Sequence, residues 1–230
     1  MKFFSLFFFF MSWISLNSNG KNDNCFLLEN YNEVKTAIRN EKLKLLTDKA
    51  DFAAISIAFE NNLVNKIFPF WYGTKWSFEG YSNVPNQGEI ACGYFVSTTL
   101  KHIGINVNRY MLAQQLPINE AYSLSLSNEV INIKGASFFD VKDEFYEAIS
   151  DGVYFIGINR NHVGFIYRNA NKIYIIHSNY FSGFVEKELI EESQVLQMFS
   201  NFYLVPISSN KELMSSWINN KEVKVVTSYK

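Results

Sequence analysis

The stretch "HVGFIYRNANKIYIIHSNY", His162 to Tyr180, decides how the rest of the chain is read. Two runs rich in Val, Ile, Phe and Tyr flank the turn-forming residues Asn169 to Lys172, the pattern of two antiparallel strands joined tightly. With the turn centred there, His162 lies opposite Asn179 and His177 opposite Gly164, so all four share one face. A histidine acting as a base needs a group on its far ring nitrogen to fix tautomer and orientation. Either His177 or Asn179 could supply it across the ladder. Gly164 leaves out the side chain that would crowd His177.

Working outward, "VYFIGIN" before this hairpin and "GFVEKE" and "NFYLVPIS" after it continue an antiparallel meander. Upstream the period changes. From Phe52, the apolar residues Ile55, Phe59, Leu63 and Ile67 form one stripe of an amphipathic helix, expected to end before Pro69. The stretch "FPFWYGTKWSFEGYSNVPNQGE" then reads as an irregular aromatic loop. A helix follows from about Ala91 to Ile103, with Phe95, Val96, Thr99, Leu100 and Ile103 on one stripe and Gly104 as its stop. "RYMLAQQLPINEAYSLSLSNEV" and "FFDVKDEFYEAISDG" read as further helices. The expected fold class is therefore α+β, N-terminal helices packed on a small antiparallel β-sheet. Residues 21–208 form a single domain and 209–230 a C-terminal helix and tail.

Composition narrows the function classes. The chain has 230 residues, is 48% apolar and 17% aromatic, and carries a formal net charge of −1. That is enough for a packed core, and it offers no basic surplus for nucleic acid. The first twenty residues, "MKFFSLFFFFMSWISLNSNG", combine a basic start, an apolar run and small polar residues. They read as a secretory signal peptide over 1–20, cleaved after Gly20. The apolar run is shorter than the ~20 residues of a membrane-spanning helix, so an exported protein with no stable membrane insertion after cleavage is expected. Oligomeric state is not legible.

Export bears on the two cysteines, Cys25 and Cys92. An oxidising compartment permits a Cys25–Cys92 disulfide. Cys92 could equally be an ordinary buried thiol. A third reading follows from its place in "NQGEIACGYFVSTTL": the first helical turn presents unsatisfied N–H groups and the positive end of the helix dipole, which favour a thiolate. The third histidine, His102, lies late in this helix and reads as structural. No HExxH or CxxC spacing appears, and neither a metal nor a cofactor is expected.

"GEIACGYFVSTTLKHIGI", followed about seventy residues later by "HVGFIYRN" and then "IYIIHSNY", resembles the NlpC-type cell-wall peptidases, exported members of the papain-like cysteine peptidase superfamily. The resemblance runs from about Trp71 to Glu186. It implies a papain-like (NlpC-type) fold, with Cys92 as nucleophile, His162 as base and His177 as third member, Asn179 being the alternative. The oxyanion donor would be Gln87, by a partial echo of papain itself, or the Tyr72 hydroxyl. Trp71, Trp76, Gly93 and Gly164 would belong to the substrate groove. The sequence departs from the family at the nucleophile, where Ala91-Cys92-Gly93-Tyr94 replaces the usual Asp-Cys-Ser-Gly. "INEAYSLSLSNEVINIKGASFF" looks like an insertion. The implied activity is hydrolysis of amide bonds in peptidoglycan peptides, without a cofactor. Two rivals share these residues: a secreted amidase or deamidase acting on proteins or small amides, and a non-catalytic binding protein.

Overall fold

The computed structural model describes residues 20–126 and 128–228, with side chains from residue 30 onward. But for Gly20, the expected leader lies outside the described residues, as does the Cys25 side chain. The chain opens with α1 (Gly20–Thr47), α2 (Phe52–Asn61) and α3 (Phe68–Trp71), then β1 (Lys75–Trp76), β2 (Glu89–Ile90), α4 (Cys92–His102) and β3 (Asn106–Val107). Next come α5 (Arg109–Ala113), α6 (Pro117–Ser125), β4 (Ile131–Lys134) and α7 (Phe138–Ala148). The meander is β5 (Gly152–Ile158), β6 (His162–Asn169), β7 (Lys172–Asn179) and β8 (Phe184–Leu189); α8 (Gln194–Gln197), β9 (Asn201–Pro206), α9 (Lys211–Ile218) and β10 (Glu222–Val223) complete the chain.

The fold is mixed α+β with a mostly antiparallel sheet, ordered β2-β1-β8-β7-β6-β5-β9-β4. Its central hairpin has the register expected from the turn, with Asn169 opposite Lys172 and Phe165 opposite Ile176. Alternation along the strands builds two cores. Phe155, Phe165, Ile176 and Val205 face α2, α4 and α9 through Phe59, Phe95, Leu100 and Trp217. Ile156, Ile166, Ile175 and Leu204 face α7 and α8 through Phe138, Phe145 and Leu196. The sheet is thus covered on both sides, which explains why β5 reads as an unbroken apolar run.

Two expectations about the N-terminal half are corrected. The helix from Phe52 does not stop before Pro69. It widens into a π-helical stretch over Asn62–Ile67, closed by the Phe68 N–H donating to the Leu63 carbonyl, and resumes as α3. The wide turn resets the hydrogen-bond register, so Pro69 falls in the first turn of α3, where a missing N–H costs nothing. The aromatic stretch after it is not irregular throughout. Its β1 pairs antiparallel with β8 and parallel with β2, and the Gly73 N–H donates to the Val185 carbonyl at 2.9 Å. The far end closes through the Ala91 N–H to the Gly80 carbonyl at 2.8 Å, one residue before Cys92.

The segment from 209 is part of the same body. Trp217 of α9 is fully buried and donates from Nε1 to the Ile103 carbonyl at 2.8 Å, just past the end of α4. β10 then pairs parallel with β3. No helix among the described residues is long and apolar enough to cross a membrane.

Candidate active site

Cys92 opens α4, whose N-cap, Ala91, offers no side-chain acceptor, so the first-turn N–H groups stay available. The helix lies against β6 and β7 because Phe95 and Val96 bury into the sheet. At Gly93 a Cβ would come within 2.5 Å of the Ala113 carbonyl oxygen, so only glycine lets α5 close over the start of α4. From the sheet side, the Ser178 hydroxyl donates to the Ile90 carbonyl at 2.7 Å, tying the histidine-bearing strand to the residues that lead into Cys92.

Cys92 and His162 line one cavity of about 380 Å³. Trp76, Phe78, Tyr94 and Tyr180 also line it; the Tyr180 ring lies 5.7 Å from His162 and 6.1 Å from Trp76. Cys92 carries a free thiol. The backbone amides of Val163, Gly93 and Cys92 favour its ionised form.

Behind His162 stands a chain of polar contacts buried in the sheet. His162 Nε2 lies 2.8 Å from His177 Nδ1, and His177 Nε2 lies 3.0 Å from Glu188 Oε1. Both histidines are buried. In the tautomer whose His177 Nε2–H donates to the Glu188 carboxylate, His177 Nδ1 accepts from His162 Nε2–H. Nδ1 is then the bare nitrogen of His162, the tautomer a base requires. Gly164 makes the stack possible, since a Cβ there would sit 2.9 Å from the His177 Cβ.

This geometry sorts the residues expected at the site. His177, not Asn179, meets His162. Asn179 donates to Glu186 Oε1 at 2.6 Å and accepts from the Phe181 N–H at 2.8 Å, closing the turn between β7 and β8. Trp76 and Gly93 line the cavity; Trp71 and Gly164 do not. Trp71 is fully buried and donates to the Tyr31 hydroxyl, which contacts His102 Nδ1, each at 2.9 Å. Burial there, with Lys35, Arg109 and Lys101 nearby, pushes the His102 pKa down to about 3. Gly164 serves under His177 instead. Gln87 and Tyr72 also stay away from the cavity: Gln87 sits in the turn that its N–H makes to the Val84 carbonyl, and Tyr72 packs on the core.

The charge state of the thiol differs from the expected thiolate. Burial pushes its pKa up to about 11, against the pull of the Val163 amide, and the nearby Glu120 adds to the rise. Burial also holds His162 well below the ordinary imidazole value. At this partly exposed thiol desolvation opposes the pull of the helix start, and the direction of both shifts favours a neutral thiol and a neutral imidazole.

Two residues with a place in the site escaped the sequence reading. Burial would raise the Glu188 pKa, but hydrogen bonds with His177 and Ser193 bring it below the usual carboxylate value. Its signal was available: a hairpin through Asn179–Phe184 places Glu186 opposite His177 and Glu188 diagonal to it. The other is Glu120, in the stretch read as an insertion. It is 1% exposed, lines the cavity, and is held well above the usual carboxylate range by burial. His177, Glu186 and Glu188 also bring ligand atoms within 4.8 Å of one another, a spacing open to a divalent cation. Their hydrogen bonds to one another and to Asn179 give a metal-free account of the cluster.

No protein-family model, curated protein or solved structure matches the chain.

Proposed function

We propose that the protein is an exported cysteine hydrolase of papain-like, NlpC-type architecture that cleaves amide bonds, with peptidoglycan peptides as substrate. The observation that carries this reading is the shared cavity of Cys92 and His162, with His162 backed by His177 and Glu188. In the reaction, His162 Nδ1 takes the thiol proton as sulfur attacks the substrate carbonyl. The C–N bond then breaks, and the same proton passes to the departing nitrogen. Water attacks the thioester, gives a proton to His162, and releases the acid as the thiol re-forms. Imidazolium at His162 is transient and is stabilised through His177 by the Glu188 carboxylate. The leader-like first twenty residues and the resemblance around Cys92 support export and the cell-wall substrate.

The test is digestion of purified peptidoglycan. Mass spectrometry is expected to find stem or cross-link peptides cut at an amide, and Cys92→Ala to abolish every new product while leaving the thermal transition nearly unchanged. An intact wall, with cleavage or deamidation of proteins or small amides, replaces the substrate by that of a secreted amidase. A second reading, a binding protein on the same fold, is favoured by the raised thiol pKa. It prevails if nothing is cut and Cys92 reacts no faster than an ordinary thiol.

A further inference from the structure

Acyl transfer is accelerated by backbone or side-chain donors aimed at the oxyanion, and removing one typically costs 10²–10³ in rate. Gln87 and Tyr72 do not reach the cavity. Gln114 and Gln115 do, each with one amide contact already made, to the Tyr94 hydroxyl at 3.3 Å and the Met111 carbonyl at 2.8 Å. Among the described residues, three buried side-chain oxygens have no hydrogen-bond partner: Asn62 Oδ1, Asn201 Oδ1 and Glu120 Oε2. Of these residues only Glu120 lines the cavity. Glu120 of α6 and Cys92 at the start of α4 line this same cavity.

We propose that the Glu120 carboxyl group supplies the side-chain hydrogen bond to the oxyanion formed when Cys92 attacks. This rests on the acyl-transfer reading above. A carboxylate could only repel that oxygen, so Glu120 acts as the neutral acid, the form its apolar burial favours. As sulfur bonds to the carbonyl carbon, the C=O π pair moves onto oxygen and the thiol proton goes to His162. Glu120 keeps its own proton and donates a hydrogen bond. When the intermediate collapses the π bond re-forms, and Glu120 is unchanged.

The experiment uses the full chain in a Cys25→Ser background, where Cys92 is the remaining cysteine. Two probes react at the sulfur by different routes. p-Nitrophenyl acetate acylates it through an oxyanion; iodoacetamide alkylates it without one. Glu120→Ala is expected to slow acylation by about 10²-fold or more, while Glu120→Gln, which keeps a donor, slows it by less than about tenfold. Alkylation by both variants stays within about threefold of the parent. Should the alanine variant fail to fold, Glu120→Met fills the space without offering a donor. Acylation of Glu120→Ala at the parental rate overturns the proposal, as does an equal loss in Glu120→Gln. A parent protein that is alkylated but not acylated refutes acyl transfer itself, and the role of Glu120 with it.

Discussion

The role proposed for His162 depends on what holds its ring. The contact at 2.8 Å is to His177, and the far nitrogen of His177 is held by Glu188. His177→Ala is therefore expected to lower kcat on the peptidoglycan-derived substrate by about 10²-fold with little change in KM, because orientation of the base acts in the transition state. Glu188→Gln should fall in the same direction but less far, since the amide oxygen still accepts while the negative charge is gone. Asn179→Ala should leave kcat within about threefold, its partners being Glu186 and the Phe181 amide. Steady-state kinetics on the three variants check this. A larger loss in Asn179→Ala than in His177→Ala would contradict the contact map. At this scale the sequence displayed the cysteine, both histidines and their common face. It hid the thiol's charge state, because desolvation depends on tertiary packing that no local pattern around Cys92 reveals.

The elements place these residues through close approaches. Gly164 on β6 leaves room for His177 on β7, where a Cβ would also meet the Ile176 carbonyl oxygen at 3.0 Å. Neither the backbone nor the His177 Cβ can yield easily, so Gly164→Ala is expected to separate the strands locally and break the His162–His177 contact. Histidine ring NMR should then report the loss of a shared hydrogen bond, and the overall fold should persist; unchanged ring resonances would contradict the packing. Strand existence, the hairpin register and the Cys92 helix were legible because period-two and period-3.6 patterns are local. Three features were not. The mostly polar α1 touches the core through Tyr31, Val34, Ile38 and Leu45, a narrow stripe that the surrounding charged residues mask. Pro69 read as a stop because a preceding π-helical turn cannot be seen in residue types. The stretch set aside as an insertion forms most of α6, and so carries Glu120 to the cavity.

For the molecule as a whole, the buried titratable groups make stability depend on pH from two sides. His162 and His102 are held neutral, with pKa values depressed on folding. Their contribution is present above the unfolded value of ~6.5 and is lost as pH falls below it. Glu120 and Cys92 are shifted up, so their contributions are complete below unfolded values of ~4.3 and ~8.5 and are lost as pH rises through the folded ones. Glu120→Gln is expected to raise the urea midpoint more at pH 7 than at pH 4, and His162→Gln to flatten the fall below pH 6. Equal shifts at both pH values would contradict a buried, unpartnered Glu120. A stability cost at a cavity-lining position fits a group kept for chemistry.

The central claim is that Cys92 is an acyl acceptor served by His162. Its most direct measure is p-nitrophenolate release from p-nitrophenyl acetate at pH 7, with the adduct located by peptide mapping. The account predicts acetylation of Cys92, faster than that of Cys25 in the same chain and slowed by about 10²-fold or more in His162→Ala. Acetylation of Cys92 at the rate of an ordinary thiol, unchanged by His162→Ala, would contradict it.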